Sequence, residues 1–176
     1  MQRFYYGARV RHGSASRLSH CFCFTRSFSS PENFSTVVNV HAFADGASRG
    51  NPGRSGCGAL LMDPSTGRVL ASDTKYVGNL ETNNEAEYHG LMLALQLAKR
   101  HQATYVHVHM DSQLVVRQMQ GLYRVKATNL RQLHQQCKGL IATLPHVTFS
   151  HVAREENSAA DCLANEAIDE YNAMVN

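Results

Sequence analysis

Two runs of β-branched, aromatic and small residues, at 37–44 and 104–110, each stop on an aspartate, Asp45 and Asp111. Runs of this length and composition read as strands. What lies between and after them fixes the fold class. Residues 46–58 (G-A-S-R-G-N-P-G-R-S-G-C-G) read as a turn-rich stretch. Residues 59–62 and 68–77 read as a hairpin around D-P-S-T-G at 63–67. Residues 83–100, dense in Ala, Leu and Met and basic at the end, read as a helix. After Asp111 come a short helix (112–120) closed by Gly121, a helix at 130–144, a strand at 147–152 and a helix at 157–171. Three antiparallel-type strands followed by alternating strands and helices predict an α/β domain, a mixed sheet with helices packed on it.

Four acids fall at telling places in that order. Asp45 and Asp111 end strands, where ligand and metal sites of open sheets gather. Each also suits a simpler role: Asp45 could start a turn with Gly46, and Asp111 could cap the helix beginning at Ser112. Glu87 is harder to explain so. At 100° per residue, Leu91, Ala94 and Ala98 fall within roughly 40° of it, on the apolar stripe of its helix. Glu85 falls on the far side with His89, Gln96 and Arg100 and reads as a solvated charge. An inward carboxylate is costly unless it is paired or binds metal, and no Lys or Arg shares the stripe. Asp161 sits at the edge of the last helix's apolar face, near Ala164 and Ile168. Four oxygen donors without thiolates, if they converge, suit Mg²⁺ or Mn²⁺ rather than Zn²⁺. Two such ions about 4 Å apart would clamp the attacking water and the leaving oxygen of a phosphodiester.

The blocks around these acids resemble the four signature blocks of the ribonuclease H family, in the family's order. They are D-G-A-S-R-G-N-P-G from Asp45, T-N-N-E-A-E-Y from Thr82, M-D-S-Q-L-V from Met110 and H-V-A-R-E-E-N-S-A-A-D from His151. The resemblance covers residues 37–171. It implies a five-stranded mixed sheet, the first three strands antiparallel, with helices on both faces. It implies Asp45, Glu87, Asp111 and Asp161 as metal-binding catalytic acids holding two Mg²⁺ ions, with Mn²⁺ as a substitute. It implies His151 as a catalytic residue that helps a proton or product leave, with Arg154 sharing that task or touching substrate. Gly46, Asn51, Asn83, Asn84 and Gln113 stand where family members touch the minor groove of an RNA–DNA hybrid, and Thr82 where they grip a DNA phosphate. Asn51 also suits a turn, and Asn83 a helix cap. The implied activity is cleavage of the RNA strand of a hybrid. His107 and His109 alternate on one strand face and are expected to be exposed.

The same fold hosts DNA-directed nucleases and non-catalytic hybrid-binding modules. The first predicts loss of the Asn and Gln contacts to the RNA 2′-hydroxyl; the second predicts loss of an acid. Neither loss is present. Between Gly121 and Asn129 only Arg124 and Lys126, with Tyr123, stand where many relatives carry a Lys-rich substrate handle. A compact branch lacking the handle and an N-terminal hybrid-binding module is therefore expected, as a monomer.

Charge is unevenly spread. Residues 1–31 hold five Arg, no Lys and no acid; taking those five from 17 basic residues leaves 12 against 14 acids beyond them. The body is slightly acidic, so nucleic acid would be held by local patches and metal ions rather than a bulk field. The Arg- and Ser-rich leader has the composition of a mitochondrial transit peptide, and R-S-F-S-S at 26–30 resembles a matrix-processing site cut before Ser29. A basic tail on a nuclear or cytoplasmic protein is the alternative. Five cysteines without a CxxC pair argue against a disulfide framework and a zinc site. No apolar run approaches the ~20 residues needed to span a bilayer.

Overall fold

The computed structural model describes residues 38–175; the leader expectation lies outside them. The elements are β1 (Asn39–Gly50), β2 (Gly53–Met62), β3 (Val69–Glu81), α1 (Asn83–Arg100), β4 (Tyr105–Met110), α2 (Gln113–Met119), α3 (Thr128–Ile141), β5 (His146–His151), a 3-10 turn (Arg154–Asn157) and α4 (Ser158–Val175). The sheet order is β3-β2-β1-β4-β5. β1, β2 and β3 pair antiparallel, while β4 joins β1 and β5 joins β4 in parallel.

One sequence expectation fails here. The stretch read as turn-rich is strand: β1 runs on through Asp45 to Gly50 and pairs with β2 down to Gly50↔Gly53. Gly, Ser and Asn carry no local strand preference, but β2 supplies a register partner for every residue from Asp45 to Gly50, and pairing overrides composition. Only Asn51 and Pro52 make the turn, across a cis peptide bond.

α1 and α4 take opposite faces of the sheet, and β1 shows how. A Cβ on Gly46 would strike the Ala86 and Glu87 backbone of α1, and one on Gly90 would strike the Asp45 backbone. These two glycines let α1 lie directly on β1 at the level of Asp45. Gly58, the register partner of Asp45, lies instead against Leu163 and Ala164 of α4, as Gly56 lies against Ala164 and Ala167. α3 packs on α1. The core between sheet and α1 is built on apolar side chains, with Val40, Leu61, Leu91, Leu95, Val106 and Val108 all buried. The buried Tyr88 hydroxyl donates to Gln118 at 2.7 Å and so ties α1 to α2. Among the described residues Cys57, Cys137 and Cys162 are free thiols, and no helix is long and apolar enough to cross a membrane.

Candidate active site

The parallel pairing of β1 and β4 ends at Phe43↔His109. Two residues further along each strand stand Asp45 and Asp111, so the register sets the two acids level where the strands part. The glycine contact at Gly46 brings in the first turns of α1 and with them Glu87. One carboxylate oxygen from each of Asp45, Glu87 and Asp111 lies within 4.8 Å of the others. Asp45 and Glu87 are buried, at 4% and 6% exposure. Asp161 completes the wall of the same cavity, about 190 Å³, together with Gly46, Asn83, Arg154 and Asn165.

Charge crowding marks the cluster. Burial, then the charges of Asp111 and Asp161, push the Asp45 carboxyl up to about 7 against a lowering hydrogen bond from Gly46. Burial, then Asp45 and Asp111, raise Glu87 well above its ordinary value, and Arg154 pulls the other way. The Oε2 of Glu87 is buried with no hydrogen-bond partner. A buried oxygen acceptor left unpaired among like charges is unfavourable without a cation. All donors are hard carboxylates with no thiolate or imidazole among them, so the residues fit a divalent ion of the Mg²⁺ class.

Asp111 does not cap α2. Ser112 is the N-cap residue, with no side-chain cap bond, and Asp111 Oδ1 instead accepts from Asn157 Nδ2 at 2.9 Å. The same nitrogen donates to the Ala44 carbonyl at 3.0 Å. Asn157, 1% exposed, thereby locks the acid at the end of β4 to the strand before Asp45. Sequence reasoning passed over it, because Asn-Ser ahead of an Ala-rich run reads as a helix start; its only signal was its place four residues before Asp161.

Glu85 is not a free surface charge. Its carboxylate accepts the Thr82 backbone N–H at 2.8 Å and the Thr82 hydroxyl at 2.7 Å, while the Thr82 hydroxyl accepts the Glu85 N–H at 3.3 Å. This is a reciprocal capping box, so Thr82 rather than Asn83 caps α1. Asn51 Oδ1 accepts the Asn83 N–H at 3.3 Å, joining the β1–β2 turn to the helix start. Asn51, Asn83, Asn84 and Gln113 are exposed. His151 ends β5 with Nε2 donating to the Asp111 carbonyl at 3.1 Å, and it lies outside the wall of the acidic cavity. Arg154 Nη2 donates to Asp161 Oδ1 at 2.9 Å.

Residues 43–167 match the Reverse transcriptase-like family. A ribonuclease HI of Halobacterium salinarum is 36% identical over 147 residues, which span 80% of this chain and 73% of that protein. The chain belongs to the ribonuclease H family. A bifunctional protein of Mycobacterium tuberculosis is 43% identical over 126 residues, 72% of this chain but 34% of that protein's length. The solved N-terminal RNase H domain of that protein superposes with a TM-score of 0.74 at 40% identity, covering 79% of this chain and 99% of the domain. LC11-RNase H1, solved in complex with an RNA/DNA hybrid, gives a TM-score of 0.71 at 38% identity, over 76% of this chain and 99% of its own. The five-stranded mixed sheet with its antiparallel first three strands matches these structures.

Proposed function

We propose that this chain is a divalent-metal-dependent endonuclease that hydrolyses the RNA strand of RNA–DNA hybrids. The observation that carries it is the convergence of Asp45, Glu87 and Asp111 carboxylate oxygens within 4.8 Å, where Glu87 also keeps a buried oxygen without a partner. Those three carboxylates and Asp161 would hold the metal, two Mg²⁺ ions in this reading, with Mn²⁺ able to replace them. When bound, such ions polarise the phosphodiester and make a coordinated water nucleophilic.

The chain's own residues supply position and proton handling. Asn157 fixes the aim of the Asp111 carboxylate through one hydrogen bond while its second bond holds β1. Gly46 and Asn83 line the acidic cavity and Asn51, Asn84 and Gln113 are exposed; in this reading they meet the minor groove of the duplex. Short amides both donate and accept, which suits the RNA 2′-hydroxyl that separates a hybrid from duplex DNA. Thr82 would meet a phosphate of the DNA strand. Water adds to phosphorus and the bond to the 3′-oxygen breaks, leaving a 5′-phosphate and a 3′-hydroxyl. His151, freed from the Asp111 carbonyl, would pass on the proton. We further propose that the protein acts as a monomer and that its Arg-rich leader directs mitochondrial import. Mass spectrometry of the native protein tests the leader, since an intact Met1 end on a nuclear or cytosolic protein would refute it.

The deciding test is a gel with labelled RNA–DNA hybrid, duplex DNA and duplex RNA, each with Mg²⁺, Mn²⁺ or EDTA. Hybrid-specific, metal-dependent cutting is expected. Cutting of duplex DNA at a comparable rate would replace the proposal with a DNA-directed nuclease.

A further inference from the structure

The acidic cavity already holds a cation of the chain's own. Arg154 is 75% exposed along its side chain, and a long exposed side chain held in one pose loses rotamer freedom. It nevertheless places Nη2 on Asp161 Oδ1 at 2.9 Å and lines the same cavity as Asp45, Glu87 and Asp111. The other carboxylate oxygen of Asp161 meets Asn165 Nδ2 at 3.4 Å. Asp161, then Asp111 and Asp45, raise the guanidinium's own pKa, and Arg154 in turn lowers that of Glu87. One guanidinium thus pairs with Asp161 and lines the cavity that the other three acids share.

We propose that Arg154 is the resident counter-ion of the metal-free site and must release Asp161 before a divalent cation can bind on that side of the cavity. The proposal rests on the metal-site reading given above. An oxygen that accepts a charge-assisted hydrogen bond has its lone pair committed, and a positive group beside it repels a second cation. Displacement leaves the guanidinium at the cavity mouth, where its planar donor fork suits a phosphate of the hybrid. Metal loading and substrate grip would then be coupled through one side chain.

The test is calorimetric titration of Mg²⁺ into the full chain as wild type, Arg154→Ala, Arg154→Lys and Asp111→Asn, beside melting curves in EDTA. Arg154→Ala should melt lower than wild type without metal. It should also bind Mg²⁺ more tightly, by up to roughly fivefold, the ceiling for an exposed ion pair. Arg154→Lys, which keeps the charge, should fall between Arg154→Ala and wild type in both readouts. Arg154→Ala binding Mg²⁺ no more tightly than wild type overturns the counter-ion role, provided Asp111→Asn has lost binding. Asp111→Asn binding Mg²⁺ as well as wild type overturns the metal-site reading itself, and the counter-ion role with it.

Discussion

Two places in this domain crowd titratable groups together, and they answer desolvation in opposite ways. At the acidic end, Asp45, Glu87 and Asp111 converge. On β1 and β4, His41, His107 and His109 form a ladder with ring centroids 4.4 to 5.6 Å apart, and Phe43 stacks on His109 at 4.7 Å. The two histidines on β4 are half-buried rather than exposed as the alternation had suggested. In both clusters burial is the largest cause, and in both it favours the neutral form. It pushes Asp45 up to about 7 and His109 down to about 4, the latter helped by His107 and then His41. On β4 burial lowers the pKa of His107 as it does that of His109, which favours the uncharged rings. His107 meets the hydroxyls of Thr148 and Ser150 at 2.7 Å each, and the rings stack. The acids have no such donors to Glu87 Oε2, and a water-accessible cavity opens on them. Both ring nitrogens of His109 are also buried without a partner, but an uncharged imidazole bears that at less cost than crowded carboxyls do, and it is the carboxyls that await a cation.

The contrast breaks most sharply at the acids. Asp111→Asn and Glu87→Gln should each reduce hybrid cleavage to background, because each removes a negatively charged donor. They should differ from ordinary core damage. Metal-free Glu87→Gln should melt at or above wild type, since it relieves repulsion, and it should lose most of the rise in Tm that Mg²⁺ gives by mass action. A Glu87→Gln enzyme that still cuts would end the site assignment.

His151 tests whether the acidic end also uses a histidine in a different way from the ladder. His151→Ala should leave Mg²⁺ binding unchanged and slow turnover by roughly 10²-fold, within the range for a general acid–base group. Turnover and metal affinity are the two measurements. Equal losses in His151→Ala and Asp111→Asn would show that the imidazole is needed for the metal and not for the proton.

The pH dependence of metal-free stability separates the two clusters by sign. A carboxyl raised in the fold from 3.8 to about 7 contributes stability that is present below pH 3.8 and lost as pH rises through 7. A histidine lowered from 6.5 to about 4 acts oppositely: its contribution is full above pH 6.5 and is lost as pH falls toward 4. Both changes fall between about pH 4 and 7 with opposite slopes. In melting curves from pH 4 to 8 in EDTA, Glu87→Gln, which removes a second raised carboxyl, should therefore lessen the loss of stability on raising the pH. His109→Phe, which keeps an aromatic ring beside Phe43, should lessen the loss on lowering it. If His109→Phe leaves the loss on lowering the pH unchanged, His109 is not its source.

The smallest effect is expected at Glu85, two residues from Glu87. Glu85→Gln should leave cleavage and the Mg²⁺ response intact, because Gln also closes a capping box. Only the charge interaction changes, worth about half a kcal/mol at most. A dead Glu85→Gln enzyme would mean that the helix register has been misread.

That register was legible without any structure. Residues 83–100 form α1 as their composition and apolar stripe indicated, and the turning of Glu87 inward and Glu85 away follows from 100° per residue alone. The ends of β4 at Met110 and β2 at Met62 were likewise marked by local change in pattern. These features are local, set by residues within a turn or two of one another. The extension of β1 to Gly50 was not legible, because its strand state comes from pairing with β2 and not from its own Gly, Ser and Asn. The bond from Asn157 to Asp111 spans 46 residues and the one to Ala44 spans 113. The ladder needs the register of His41 on His107 across two strands. Sequence alone determined that Glu87 is the inward acid of α1, since helical periodicity is a property of a segment. Tertiary structure decided which polar atoms find partners and which are left bare, because satisfaction depends on groups that only the closed fold brings within three ångströms.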